Sequence, residues 1–179
     1  MRILPLGLAA AALVLTGCVQ PSPSPSSPAP SATAVFASED EALAAAKAAY
    51  EKYQTVTNAL GNDGWKDTSQ LASVARSAAL RDEIKTASEF AAKGYVLVGQ
   101  SSFDSMRLQS TDYSGRGKVV LTVYACVDVS GTDVRDATGA SVVPANRDSR
   151  VPFEIDIDNH DDGILKVARS EAWSGEDFC

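Results

Sequence analysis

The sequence predicts an α+β domain in which helices come first and antiparallel strands follow. From Ser38 to Lys93, apolar residues recur at three- and four-residue steps, which is typical of amphipathic helices. From Gly94 onward they alternate with polar residues, the period of a strand with one buried face. Clusters of Gly, Asn, Asp and Ser separate these segments, as turns do. This order of elements favours N-terminal helices packed on a curved antiparallel sheet.

Three helices are predicted in the first half of the domain. Ser38 and Glu41 have the spacing of a capping box, so the first helix begins there and ends at the sequence GNDG of residues 61–64. Its predicted buried stripe is Leu43, Ala46, Tyr50, Tyr53, Thr57 and Leu60. A short helix is predicted through Leu71 and Val74. The third helix spans residues 77–93, with a buried stripe formed by Leu80, Ile84, Ala87 and Ala91.

The second half of the domain is predicted to be strands. The segments in order are 95–109 as one long strand or a bulged pair, 118–130 as a buried strand, 132–143 as a small hairpin, and 151–158 with 164–169 as a second hairpin. Gly-rich or Asn- and Asp-rich sequences stand between them at the positions where the chain must turn.

The composition argues against several classes of function. The 179-residue chain carries 16 basic and 23 acidic residues, a net charge of −7, whereas nucleic-acid binding needs clustered Lys and Arg. One histidine and three cysteines leave few ligands for a zinc or iron site. We therefore expect no nucleic-acid partner, no metal and no cofactor.

The N-terminus has the features of a bacterial lipoprotein leader. Arg2 precedes an apolar stretch at residues 3–15, which is too short to span a membrane as a helix and is typical of a signal peptide. Residues 15–18, Leu-Thr-Gly-Cys, match the lipobox of bacterial lipoproteins at every position. This resemblance implies cleavage between Gly17 and Cys18 and a thioether-linked diacylglycerol on Cys18. The alternative is an ordinary secreted protein with a chance cysteine.

These features divide the chain into three predicted parts. Residues 1–17 are the signal peptide, 18–35 the lipidated cysteine with a Pro- and Ser-rich tether, and 36–179 a single globular domain. The tether has nothing to bury and is expected to be solvated. Because two or three acyl chains hold a protein stably on a bilayer, we expect the domain at the outer face of the bacterial cell membrane, held there by lipid.

Cys126 and Cys179 remain once Cys18 is assigned to the lipid. Two thiols in an exported domain favour a disulfide, which would pin the last residue onto the strand at 118–130. One alternative is a reactive nucleophile, for which His160 is the single histidine in the sequence. Two buried free thiols are the other alternative.

The order of elements resembles the cone-shaped fold shared by nuclear transport factor two and ketosteroid isomerase. Several stretches also resemble uncharacterised lipoproteins of actinobacteria and their phages: the lipobox with its tether, VYACVDVSG at 123–131 and EAWSGEDFC at 171–179. The second resemblance implies a fold and a cellular location, and it implies no activity. In isomerase-like members of the cone fold, an acid or a tyrosine projects into a pocket between helices and sheet. The residues that could line such a pocket here are Tyr50, Tyr53, Tyr95, Phe103, Tyr124 and Asp128.

The acidic segment at 154–163, His160 and Trp173 are weaker candidates for a functional site. The segment does not match a calcium-binding EF-hand loop that begins at Asp158, because Arg169 occupies the twelfth position, where the loop needs a Glu. We expect a hairpin in which Glu154, Asp156 and Asp158 face water. His160 lies in its turn, where a solvated side chain is expected rather than a catalytic one. Trp173 either packs against the tail disulfide or anchors a partner.

No catalytic motif accompanies these residues, so the sequence favours a non-catalytic binding or interaction module for a protein or a small molecule. An enzyme of the isomerase or dehydratase type is the alternative. It predicts an open pocket where a carboxylate with a raised pKa meets a tyrosine. A third hypothesis, an accessory subunit of an envelope complex, predicts a contiguous exposed apolar patch.

Overall fold

The computed structural model describes residues 35–115, 117–160 and 162–179, and its helices and antiparallel sheets confirm the predicted α+β class. The helices are α1 (Glu39–Asn62), α2 (Leu71–Val74) and α3 (Ser77–Ala92). The strands are β1 (Val96–Gly99), β2 (Ser102–Gly115), β3 (Lys118–Asp128), β4 (Thr132–Arg135), β5 (Arg150–Asp158) and β6 (Lys166–Ala172). None of these helices has the length and hydrophobicity to cross a membrane. The predicted leader, Cys18 and the tether through residue 34 lie outside the described residues.

Helix α1 begins where the capping sequence predicts. The Ser38 hydroxyl accepts a hydrogen bond from the Glu41 backbone N–H at 3.1 Å, and the Glu41 carboxylate accepts one from the Ala37 N–H at 2.7 Å. These bonds satisfy backbone donors that the first turn of a helix leaves without partners. The helix ends at Asn62, and Gly64 follows with a φ of 72° that a glycine adopts without strain.

The main sheet has four antiparallel strands in the order β2-β3-β5-β6. Alternate residues of β3, among them Leu121 and Val123, are fully buried. The register pairs these two with Ile157 and Ile155 of β5. The same apolar cluster includes Tyr50 of α1, so the core lies between that helix and one face of the sheet.

The segment predicted as one long strand or a bulged pair forms two strands in different sheets. β1 pairs with β4, while β2 pairs with β3 after a break at Gln100 and Ser101. Gly99 ends β1 with a φ of 85°, and a Cβ there would overlap the carbonyl oxygen of Gly131. This close approach lies at the end of the β1–β4 pair. The hairpin predicted at 132–143 forms with β4 as its first strand, and its return segment pairs through the bridge between Arg135 and Ser141 and a hydrogen bond of 2.9 Å from the Val142 N–H to the Val134 carbonyl.

The predicted stripe of α3 is wrong at two positions. Ile84 is 44% exposed and Ala91 is also exposed, whereas Ala79 and Ala87 are buried. Four residues before Ala87 stands Glu83, which is half-buried, and three residues before it stands Ile84, which is exposed, so the buried side of the helix follows the four-residue row through Ala79, Glu83 and Ala87. A carboxylate therefore occupies a position where the sequence pattern suggested isoleucine.

The C-terminal tail lies on the sheet face opposite α1. Cys126 belongs to the outward set of β3 residues with Tyr124, and it is bonded to Cys179 with the two Cα atoms 5.5 Å apart. The Tyr124 ring packs against Trp173 and Phe178, with centroid distances of 4.8 Å and 5.6 Å. The structure thus joins the predicted cysteine pair, and Trp173 packs within the tail that this pair holds.

Replacing both Cys126 and Cys179 by Ala is expected to lower the free energy of unfolding by ~2–4 kcal/mol, because the bridge closes a loop with a sequence separation of 53 residues in the unfolded chain. Urea denaturation with and without a reductant measures the effect. The reductant should destabilise the natural chain by a similar amount and leave the double variant unchanged. Two alkylatable thiols in the native oxidised domain would contradict the bridge.

Candidate functional site

Three of the predicted pocket residues meet between α1 and the sheet. Tyr50 and Tyr53 stack with ring centroids 5.6 Å apart, and Tyr50 packs edge-on against Phe103 at 4.8 Å. Tyr50 is 1% exposed and Tyr53 6% exposed. These rings occupy the space in which the cone resemblance placed a pocket.

The other three predicted residues lie elsewhere. Tyr95 packs edge-on against Phe90 in a second apolar cluster, with centroids 5.5 Å apart. Tyr124 and Asp128 lie on the sheet face opposite α1, because they fall on the same side of β3 as Cys126. The structure therefore does not bring these two to the tyrosines of α1.

A different acid meets one of the predicted tyrosines. The Tyr53 hydroxyl donates a hydrogen bond of 2.5 Å to Glu83 Oε1. Burial raises the pKa of Glu83, the hydrogen bond from Tyr53 opposes that rise, and nearby Asp82 adds to it. Burial likewise raises the pKa of Tyr53. Sequence reasoning missed Glu83, although its place between Leu80 and Ala87 on a helical face was the available signal.

A groove with both polar and apolar lining opens between α1 and the start of β2. We call it the Ser101 groove, and its volume is about 390 Å³, within the range of small-molecule sites of roughly 300–1,000 Å³. Its lining residues are Glu51, Gln54, Thr55, Asn58, Ala59, Asn62, Gln100, Ser101, Ser102 and Phe103. Of the predicted pocket residues, Phe103 lines this groove and Tyr50 lies beneath it, joined to the Gln54 amide by a hydrogen bond of 3.2 Å.

Three amide side chains spaced four residues apart on α1 hold the groove in shape. Asn58 donates to the Ser101 carbonyl at 2.9 Å and accepts from the Ser101 N–H at 3.0 Å. The Ser101 hydroxyl lies 2.7 Å from Gln54 Oε1, to which it donates. Asn62 donates to the carbonyls of Leu97 and Gly99 at 3.1 Å and 3.0 Å. Since Gln54 and Asn58 are 9% and 8% exposed, these bonds satisfy polar groups that would otherwise be costly to bury.

The groove suits hydrogen bonding with a ligand of little charge. Glu51 is the one ionisable residue in its lining. Sequence reasoning placed Tyr53, Thr57 and Leu60 on the buried face of α1 and missed the amides one step around the helix. The spacing of Gln54, Asn58 and Asn62, one helical turn apart, was a signal for a second, polar stripe.

The acidic hairpin turn contains an internal ion pair. Asp158, predicted to face water, is 7% exposed because Arg76 lies 3.1 Å from its carboxylate. Asp162 lies 2.8 Å from the same guanidinium. His160 Nε2 lies 3.5 Å from the Ser114 hydroxyl. Among the described residues, no three His, Cys, Asp or Glu side chains are grouped to hold a metal ion.

The stability of the domain is expected to depend on pH through Glu83. Because burial raises its pKa in the folded state, the folded chain holds this proton more tightly, so the stabilisation is present at acidic pH and is lost as the pH rises through the folded-state pKa. The difference in unfolding free energy between Glu83→Gln and the natural chain should therefore be more favourable to the variant at pH 7 than at pH 4. Urea midpoints at both pH values measure it, with the exposed Glu89→Gln as the matched control.

A Glu83→Gln effect of the same size at pH 4 and pH 7 would contradict this prediction. Tyr53→Phe supplies a second check, since it removes the donor that favours the ionised carboxylate. That variant should lose about 1 kcal/mol at pH 7.

Comparisons with known proteins support the fold alone. No family model matches the chain, and no curated protein matches it. Among solved structures, the chain is similar to one described as the crystal structure of the intermembrane space region of the chloroplast protein ARC6. The match has a TM-score of 0.54 and 13% identity, and it covers 74% of this chain and 97% of that chain.

Proposed function

We propose that this chain is a lipid-anchored extracytoplasmic lipoprotein that acts by binding, and that the Ser101 groove is its ligand site. The lipobox ending at Cys18 and the Pro- and Ser-rich segment after it support the proposed extracytoplasmic, lipid-anchored location. The observation that carries the binding role is a groove of about 390 Å³ into which two amide side chains, each more than nine-tenths buried, present polar atoms. Polar groups positioned in this way give a site its specificity.

The hydrogen bonds around Ser101 favour a site that exists before its ligand arrives. Asn58 and Gln54 hold Ser101 from α1, and Asn62 holds the end of β1. A ligand that enters such a groove spends little free energy on ordering the protein. Polar groups that are held in position by such bonds suit recognition.

The enzyme alternative has one observation in its favour, the contact between Tyr53 and Glu83. It matches the predicted meeting of a tyrosine with a carboxylate whose pKa is raised. A substrate would have to reach this pair, and Tyr53 is 6% exposed. We therefore place the binding role first.

Replacing Cys18 by Ser is expected to move the protein from the membrane fraction to the soluble fraction, because the acyl chains are attached through this sulfur. Fractionation of the producing cells followed by immunoblotting measures it. Cys126→Ser is the matched control, since it removes a cysteine sulfur without touching the lipobox, and it should stay with the membrane. Retention of Cys18→Ser on the membrane would contradict lipid anchoring.

Ligand binding in the groove is expected to shift the backbone amide resonances of Ser101, Ser102 and Phe103. The measurement is an NMR titration of the labelled Cys18→Ser protein with the small-molecule fraction of the producing cell's envelope. Ala59→Trp, which fills the groove, should abolish the shifts, and Ser88→Trp on the exposed side of α3 should not. Shifts confined to Tyr53 and Glu83 would favour the enzyme, and no shift at all would contradict small-molecule binding.

A further inference from the structure

The lining of the Ser101 groove contains no Lys, Arg or His, and Glu51 is its single carboxylate. A phosphate or carboxylate ligand is normally met by cationic side chains, which the lining lacks. A bound divalent cation usually has several carboxylate ligands, and the lining supplies one, Glu51. The charges of the groove therefore favour a neutral ligand.

Seven neutral side chains in the lining can form hydrogen bonds: Gln54, Thr55, Asn58, Asn62, Gln100, Ser101 and Ser102. Amide and hydroxyl groups both donate and accept, as the hydroxyl groups of a saccharide do. An apolar ligand would remove water from these groups without replacing its hydrogen bonds, at a cost of about 1–3 kcal/mol for each group left unsatisfied. The lining therefore favours a ligand with many hydroxyl groups over a lipid.

Some of the hydrogen-bonding capacity of the lining side chains is unused. The amide of Gln54 donates one N–H to the Tyr50 hydroxyl, and the amide of Asn58 donates one to the Ser101 carbonyl. Since a primary amide has two N–H bonds, each side chain keeps a further donor. Within the described part of the chain, the side chains of Gln100 and Ser102 make no hydrogen bond, and both are exposed at the rim.

A peptide fits this groove less well. An extended peptide usually binds by adding a strand to a free sheet edge, where a row of backbone groups pairs with it. The edge of β1 that faces α1 presents the carbonyls of Leu97 and Gly99, and Asn62 already donates to both. The half-buried Phe103 ring instead offers one apolar surface, which suits the C–H face of a sugar ring.

We infer that the Ser101 groove binds a neutral saccharide, an inference that rests on the proposed function of this groove as the ligand site. The amides of Gln54 and Asn58 would bond the ligand's hydroxyl groups from the floor, with Gln100 and Ser102 at the rim. Binding is expected to depend little on salt, because no charged pair forms.

The test is a glycan array that carries neutral and acidic glycans, probed with the purified Cys18→Ser protein. Retention by neutral glycans is expected. The best neutral glycan is then titrated by NMR and calorimetry against three variants. Gln100→Ala should weaken binding about fivefold, the loss of roughly one hydrogen bond. Gln109→Ala, an exposed glutamine of β2 outside the groove, should bind normally, and Ala59→Trp should not bind.

Each other outcome overturns a defined part of the inference. If no neutral glycan binds, or if Ala59→Trp binds as well as the natural chain, the groove is not a saccharide site. If acidic glycans alone bind, and high salt abolishes the binding, the ligand is an anion. Should the envelope fraction still shift the resonances of Ser101 and Phe103 while every neutral glycan fails, the saccharide inference fails and the proposed binding function stands. Absence of shifts with both would refute the two together.

Discussion

Strand β3 is the element on which the rest of the structure depends, because its alternating side chains serve both faces of the sheet. Leu121 and Val123 are fully buried on the α1 side and pair with the isoleucines of β5. Each such side chain contributes about 1.5–3 kcal/mol when it leaves water. On the opposite side, Tyr124 and Cys126 receive the C-terminal tail. A slip of one residue in this strand would exchange the two sets of side chains and expose the core, so burial of one face strongly specifies the register of β3.

Helix α1 also uses two faces, one for the core and one for the candidate site. One side of the helix packs Tyr50 and Tyr53 over the sheet, while the amides one step around it bind the Ser101 segment. The break between β1 and β2 supplies backbone groups that need partners, and Asn58 with Asn62 satisfies them. The groove therefore lies where the chain passes from one sheet to the other.

The groove and the contact between Tyr53 and Glu83 differ in their chemistry. The amides around Ser101 are neutral and bonded on several sides, so they can hold a ligand without a change in charge. Glu83, a half-buried carboxylate that accepts a hydrogen bond from Tyr53, does not line that groove.

The sequence by itself determined the α+β class, the start of α1 at Ser38, the alternation of β3 and the two strands of the last hairpin. These features rest on periodicity and on hydrogen bonds between near neighbours, so a short window contains the whole signal. The tertiary structure alone decided which polar groups are buried. Asn58 meets Ser101 across 43 residues, and Arg76 meets Asp158 across 82. Glu83 and the pairing of β1 with β4 depend on contacts of the same kind, because a partner distant in sequence determines whether a side chain or a strand edge faces water.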